Sequence, residues 1–130
     1  AERLKLDFDV VDALTGKYLG RPKSATFRTL DVVGLDVFSN VVATMHENLA
    51  DDPWRPHFKL PTWCTKLVEH GALGQKTKRG IYQKIDKEIH VLDIASGSYR
   101  LSEGKADDAV KEILRERDWA VKLAKLRASD

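Results

Sequence analysis

Cysteine is almost absent from this 130-residue chain: Cys64 is the only one, so no internal disulfide framework exists and the composition fits a reducing compartment such as the cytoplasm. No apolar run approaches the length of a transmembrane helix. Charge of one sign is lacking too. Lysine and arginine total 22 against 20 acidic residues, a formal net charge of +2, which does not single out nucleic acid as a partner. No Gly-x-Gly-x-x-Gly occurs, and a dinucleotide needs those glycines for close approach of the backbone to its pyrophosphate, so the chain has no NAD site of that kind. Histidines 46, 57, 70 and 90 are scattered without metal-ligand spacing. His46 and Glu47 are adjacent on a helical pattern and point about 100° apart, so they do not form a base and its orienting carboxylate. The Ala1-Glu2-Arg3-Leu4-Lys5 start is unlike a signal peptide and has no initiator methionine, and a chain excised from a longer protein is expected.

What is present reads as one globular domain, with 42% hydrophobic and 32% charged residues. Asp9 is placed to cap a short helix carrying Val10, Val11 and Leu14 that stops at Gly16. Pro22 suits the first turn of a second helix with Ala25, Phe27, Leu30 and Val33, ended by Gly34. Asp36 then caps a longer helix whose Val37, Phe38, Val41, Val42, Met45 and Leu49 lie within roughly 140° of one another. Leu60, Trp63, Cys64, Leu67 and Val68 follow the i, i+3, i+4, i+7, i+8 template behind Pro61, which assigns Cys64 to a core and not to nucleophilic chemistry. Beyond Gly80 the period shortens: Ile81, Gln83 and Ile85, then Ile89, Val91 and Leu92, flank an Asp86-Lys87 turn, and a third strand is expected around 98–101. From about Ala106 to Arg127 the pattern predicts one long helix with two apolar faces: Val110, Ile113, Leu114, Val121 and Ala124 on one, Trp119, Leu123 and Leu126 on the other.

Gly71-Ala72-Leu73-Gly74-Gln75-Lys76-Thr77 imitates a phosphate loop, but Gln75 interrupts the Gly-Lys-Thr element and a helix, not a strand, precedes it. A helix end followed by a turn into the hairpin suits it better. Gly20-Arg21-Pro22-Lys23 echoes minor-groove-binding arms, yet it sits at a helix start without further flanking arginine. Arg21, Lys23, Arg28, Lys76, Lys78 and Arg79 form either a solvated surface or a patch for the phosphates of a cofactor such as CoA.

Two blocks in order carry a family resemblance. The first is Leu14-Thr15-Gly16, Gly20-Arg21-Pro22-Lys23-Ser24-Ala25-Thr26-Phe27-Arg28-Thr29 and Asp31-Val32-Val33-Gly34-Leu35-Asp36. The second is Phe58-Lys59-Leu60-Pro61, Leu67-Val68-Glu69, Gly71-Ala72-Leu73-Gly74-Gln75-Lys76-Thr77 and Gly80-Ile81-Tyr82. Together they resemble the helical C-terminal domain of the 3-hydroxyacyl-CoA dehydrogenases, most of all the long bacterial β-oxidation proteins that fuse this enzyme to an enoyl-CoA hydratase-like region. Glu88-Ile89-His90-Val91-Leu92-Asp93 and the charged helix after it extend the likeness to about Leu126.

The resemblance implies a mainly α fold, a helical domain like the C-terminal domain of 6-phosphogluconate dehydrogenase, with a small β-meander near 81–101 and a long C-terminal helix. It implies a division into residues 1–85, part of the dehydrogenase C-terminal domain, and 86–130, a β-hairpin and helical linker extension. In that family a Rossmann domain binds NAD and holds a catalytic His–Glu pair, while the helical domain supplies an asparagine, helps to form the acyl-CoA cleft and contributes a dimer contact. None of the catalytic groups maps onto this chain, so the fragment alone is expected to be inactive. Lys23, Ser24 and Phe27 are the expected substrate-cleft residues. The implied partners are acyl-CoA, the missing Rossmann domain and a second copy of the chain, with no nucleic acid and no membrane span. Family members commonly carry Lys-Thr-Gly-x-Gly-Phe-Tyr where this chain has Lys78 and Ile81; if that turn needs φ > 0, Lys78 costs about 1 kcal/mol. An alternative of another class is a free-standing helical module that binds a protein.

Overall fold

The computed structural model describes residues 4–104 and 106–128. Helix α1 spans Phe8–Thr15, α2 Phe27–Val33, α3 Leu35–Asn48 and α4 Thr62–Glu69. Strands β1 (Tyr82–Ile85), β2 (Glu88–Leu92) and β3 (Tyr99–Leu101) follow, then α5 (Asp108–Arg115) and α6 (Trp119–Ala128). The strands form an antiparallel meander in the order β1-β2-β3, with Tyr82 opposite Val91 and Val91 opposite Arg100. The mainly α architecture with a small meander is therefore as the sequence implies.

One core joins the helices to the hairpin. Phe8, Leu35, Cys64, Leu67, Ala72, Ile81, Val91 and Leu92 are buried together, so residues on both sides of position 85 share a single hydrophobic cluster. Phe8 is the centre of an aromatic trio: its ring meets Phe27 at 4.5 Å and Trp63 at 4.8 Å, both edge-to-face. Cys64 is fully buried beside them, and burial pushes its thiol up to about 11, so it stays a neutral core group.

Four helix boundaries differ from the sequence expectation, each for a polar reason. Asp9 does not cap α1. Asp7 occupies that position, while Asp9 lies in the first turn, buried against the β3 end of the chain. Pro22 does not open α2. Ala25 takes a left-handed φ of 52° and its N–H returns to the Pro22 carbonyl, so the chain turns through 22–26 and the helix begins at Phe27. Asp36 does not cap α3. Gly34 does, with φ 104°, and Asp36 in the first turn pairs with Lys76.

The long C-terminal helix is two helices. Glu116 leaves the helical region at ψ 133°, its carboxylate accepts the N–H groups of Arg117 and Asp118, and Asp118 in turn accepts from Val121 N. Such local side-chain bonds compete with the helix and restart its phase, which explains why one helical wheel gave two apolar faces. Helix α5 buries Leu114, whereas α6 leaves Trp119, Val121 and Leu123 exposed. It docks instead through Lys122, whose buried ammonium donates to the Tyr18 carbonyl at 3.0 Å and lies 4.3 Å from the Trp119 ring centroid. The apolar stripe of α3 is also only partly covered: Val37, Val41 and Leu49 stay exposed. Among the described residues no helix is long and apolar enough to cross a membrane.

Candidate functional site

Three buried aspartates fix the parts of the chain on which any site depends. Asp12 on α1 receives the start of α2: its Oδ1 accepts from Thr26 N at 3.0 Å and Phe27 N at 2.7 Å, its Oδ2 from Arg28 N at 3.0 Å and Tyr82 Oη at 2.9 Å. These are donors that a helix N-terminus otherwise leaves unmet. Asp31, near the other end of α2, receives the start of the sheet through Ile81 N at 2.8 Å and Tyr82 N at 2.7 Å. Burial pushes its carboxyl up to about 6, although those two N–H bonds pull the other way. Gly74 and Gly80 are pressed against Asp31, and a Cβ on Gly74 would lie 2.8 Å from its Cα, so neither tolerates a side chain.

Asp9 receives the third part. It accepts from Arg100, Ser102 Oγ and the N–H groups of Glu103 and Gly104, at 2.8 to 3.2 Å. Burial acts to raise its carboxyl, but the Arg100 guanidinium and these hydrogen bonds hold it below the ordinary carboxylate value. The residues after β3 are thereby tied to α1. Sequence reasoning missed all three roles. Asp9 was read as a cap, and Asp12 and Asp31 carried no signal beyond lying in helical segments.

The sequence-predicted cations do not gather into one patch. Lys76 is held by Asp36. Arg21 donates to Thr26 Oγ1 and the Ala25 carbonyl. Arg79 stacks on Tyr99 and Arg28 on Tyr82, with the guanidinium carbon 5.3 and 4.8 Å from the ring centroids. Lys23 is exposed and lines two small cavities. One of about 160 Å³ includes Asp12, Arg28 and Tyr82; the other, of about 300 Å³, includes Lys17, Tyr18 and Lys111. Ser24 receives a hydrogen bond from Thr29 Oγ1 at 2.8 Å. Phe27 turns its ring into the aromatic trio. The three predicted cleft residues thus share one loop and helix start, with Lys23 facing solvent and Phe27 facing the core.

A dinucleotide does not fit the described residues. A Rossmann site needs a parallel strand that runs through a glycine-rich turn into a helix. Here the sheet is an antiparallel meander, and the one passage from strand to helix, β3 to α5, contains the single glycine Gly104. Among the described residues no group of three or more His, Cys, Asp or Glu is arranged to hold a metal ion.

Fold and site together define a mainly helical domain with a small antiparallel meander, its parts joined through three buried aspartates. The chain belongs to the family of the 3-hydroxyacyl-CoA dehydrogenase C-terminal domain, whose model matches residues 2–84. It is 37% identical over 131 residues to a Bacillus subtilis (strain 168) protein named "Probable 3-hydroxyacyl-CoA dehydrogenase", an alignment that takes in 99% of this chain and 16% of that protein. A 3-hydroxybutyryl-CoA dehydrogenase of Bradyrhizobium diazoefficiens is 44% identical over 52 residues, 40% of this chain and 16% of its own length. A Rickettsia prowazekii protein, named as a fatty acid oxidation complex trifunctional enzyme, is 26% identical over 99 residues, 69% of this chain and 14% of its own length. The chain therefore spans only a small part of the relatives it matches. No solved structure matches it.

Proposed function

We propose that this chain is the helical substrate-facing part of an NAD-dependent 3-hydroxyacyl-CoA dehydrogenase, acting in the oxidation of L-3-hydroxyacyl-CoA to 3-ketoacyl-CoA during fatty-acid β-oxidation. The observation that carries this reading is the alignment of almost the whole chain with 16% of a much longer relative bearing a dehydrogenase name. Residues 1–85 are the domain's share and 86–130 an extension of hairpin and helices. NAD and the catalytic His–Glu pair belong to a Rossmann domain elsewhere in the parent enzyme, which works in the cytoplasm.

The chain's own contribution is to wall the acyl-CoA cleft and to dock on that domain or on a second copy. Lys23 is the group that meets the substrate, by charge. Ser24, through Thr29, and Phe27, through Phe8 and Trp63, hold the loop that presents it. Mixing the chain with NADH and acetoacetyl-CoA tests the division of labour: no turnover is expected, and turnover by the chain alone refutes it. In the full-length enzyme, Lys23→Ala is expected to raise the acyl-CoA KM with little change in kcat; an unchanged KM removes Lys23 from the cleft.

A further inference from the structure

A cavity of about 640 Å³ lies between Arg28 and Asp31 of α2, the 74–78 turn and the first hairpin. Its cationic lining is Arg28, Lys78 and Lys84; Tyr82 and Ile89 supply apolar surface and Gln75 an amide. Tyr82 and Lys84 alternate on one face of β1, and Ile89 stands directly across from Lys84, so the sheet presents these three side by side. Two acids also line it. Asp31 has both oxygens engaged by Ile81 N and Tyr82 N, and Asp86 sits in the hairpin turn. Three exposed cations face these two acids. Among the described residues neither Lys78 nor Lys84 has an acidic partner.

The backbone adds an independent observation. Lys78 adopts φ 57°, a left-handed position where glycine is free of strain and a lysine side chain is not, while Asp86 at φ 55° takes the conformation usual for an aspartate in a two-residue hairpin turn. Lys78 lies on the rim of this cavity; of the other non-glycine residues with such a φ among the described residues, Asp86 also lines it and Lys5 and Ala25 do not. Strain of that kind persists where surrounding structure enforces it, and it clusters at ligand clamps. At position 78 the strained residue places an unpaired ammonium on the cavity wall, which a glycine would not.

We propose that this cavity binds a phosphate-bearing small molecule, with Lys78, Lys84 and Arg28 receiving the phosphate and the Tyr82–Ile89 surface receiving an attached organic group. Ammonium and guanidinium groups on one concave wall match a dianion by charge and hydrogen bonding. The site does not depend on the dehydrogenase reading: it can fail while that reading stands, and the reverse.

Isothermal titration of the 130-residue chain with ADP, inorganic phosphate and adenosine tests it. ADP is expected to bind, adenosine not to, and binding to weaken as salt rises from about 50 to about 300 mM. Inorganic phosphate binding as tightly as ADP assigns the affinity to the anion alone and supports the cationic site. Lys78→Gly, which relieves the strained backbone and so keeps the fold, and Lys84→Gln are each expected to raise the ADP Kd about tenfold, the loss of one charge-assisted bond. Lys59→Gln removes the same charge outside the cavity and is expected to change nothing. The proposal is overturned if adenosine binds as well as ADP, if no phosphate-bearing probe binds at about 1 mM, or if Lys59→Gln weakens binding as much as Lys78→Gly.

Discussion

Replacing Asp12 by alanine removes one carboxylate and four accepted hydrogen bonds at once. Three come from consecutive backbone N–H groups, those of Thr26, Phe27 and Arg28, and the fourth from the Tyr82 hydroxyl. A single charge-assisted bond contributes about 1.5–3 kcal/mol, but the four share one acceptor group and do not add. Arg28 is exposed, so its N–H can turn to water, which lowers the loss further. The helix-start share alone is about 1–2 kcal/mol by analogy with an N-cap. The half-buried Tyr82 hydroxyl, left without its acceptor, adds about 1–2 kcal/mol. The sum is about 3 kcal/mol, a large part of the roughly 5–15 kcal/mol that holds a domain of this size. Urea unfolding followed by tryptophan fluorescence is a suitable assay, since Trp63 lies 6.2 Å from the Phe27 ring whose backbone Asp12 holds. The expected result is a loss of about 3 kcal/mol in the unfolding free energy extrapolated to water, with Tyr82→Phe giving about a third of the effect. Asp12→Asn keeps one acceptor oxygen and turns an amide against the remaining donors, so it falls between. A loss under about 1 kcal/mol for Asp12→Ala would refute the claim that this carboxylate organises the loop bearing Lys23.

Two further outcomes follow from the backbone and from burial. Lys78→Gly relieves a φ of 57° and is expected to stabilise the chain by about 1 kcal/mol, less the extra chain entropy glycine brings; destabilisation measured in urea contradicts the strain. Asp31 is expected to titrate near 6, against 3.8 for a free side chain, because burial disfavours its charge. The folded state then binds the proton more tightly than the unfolded chain, so this group's contribution to stability is greatest at low pH. It falls as pH rises from about 4 to about 6, by an amount on the order of 3 kcal/mol. Carbon-detected NMR of the Asp31 carboxyl checks it directly, and a midpoint at or below 4 refutes it. Asp9, held low by Arg100 against its burial, acts in the opposite sense: its contribution is present above about 4 and is lost as pH falls further.

Apolar periodicity made much of the fold legible, and the polar joints were not. The Pro61 helix, with Cys64 and Leu67 buried, and the hairpin about Asp86-Lys87, with Ile81, Val91 and Leu92 buried and Ile85 and Ile89 exposed, follow directly from residue spacing. The starts of α1 and α3 were misplaced because an aspartate before an apolar run looks like a cap wherever it stands, and that of α2 because Pro22 suits a first helical turn but here precedes the turn through Ala25. Asp9 and Asp12 accept from backbone N–H groups 95 and 14 residues away, groups that nearly every residue shares. No local pattern records such a bond. The division of the C-terminal helix had the same cause, since Glu116 and Asp118 make bonds over one to three residues that a helical wheel does not weigh.

That distinction bears on the candidate sites. Lys23, Ser24 and Phe27 were chosen from one stretch of sequence and lie in one stretch of structure, but three residues within a span of five cannot by themselves form a concave surface. The 640 Å³ cavity is built differently, from α2, the turn that ends in Lys78, and β1 and β2, elements brought together by Asp31 and by the close approach of Gly74 and Gly80. Its cations Arg28, Lys78 and Lys84 are 50 and 6 residues apart in the chain, and only the carboxylate that joins α2 to β1 makes them neighbours. Asp31 therefore affects this cavity in two ways. Its burial is the condition for the cavity's shape, and its raised affinity for a proton means that an anion bound nearby favours the protonated carboxyl and is favoured by it.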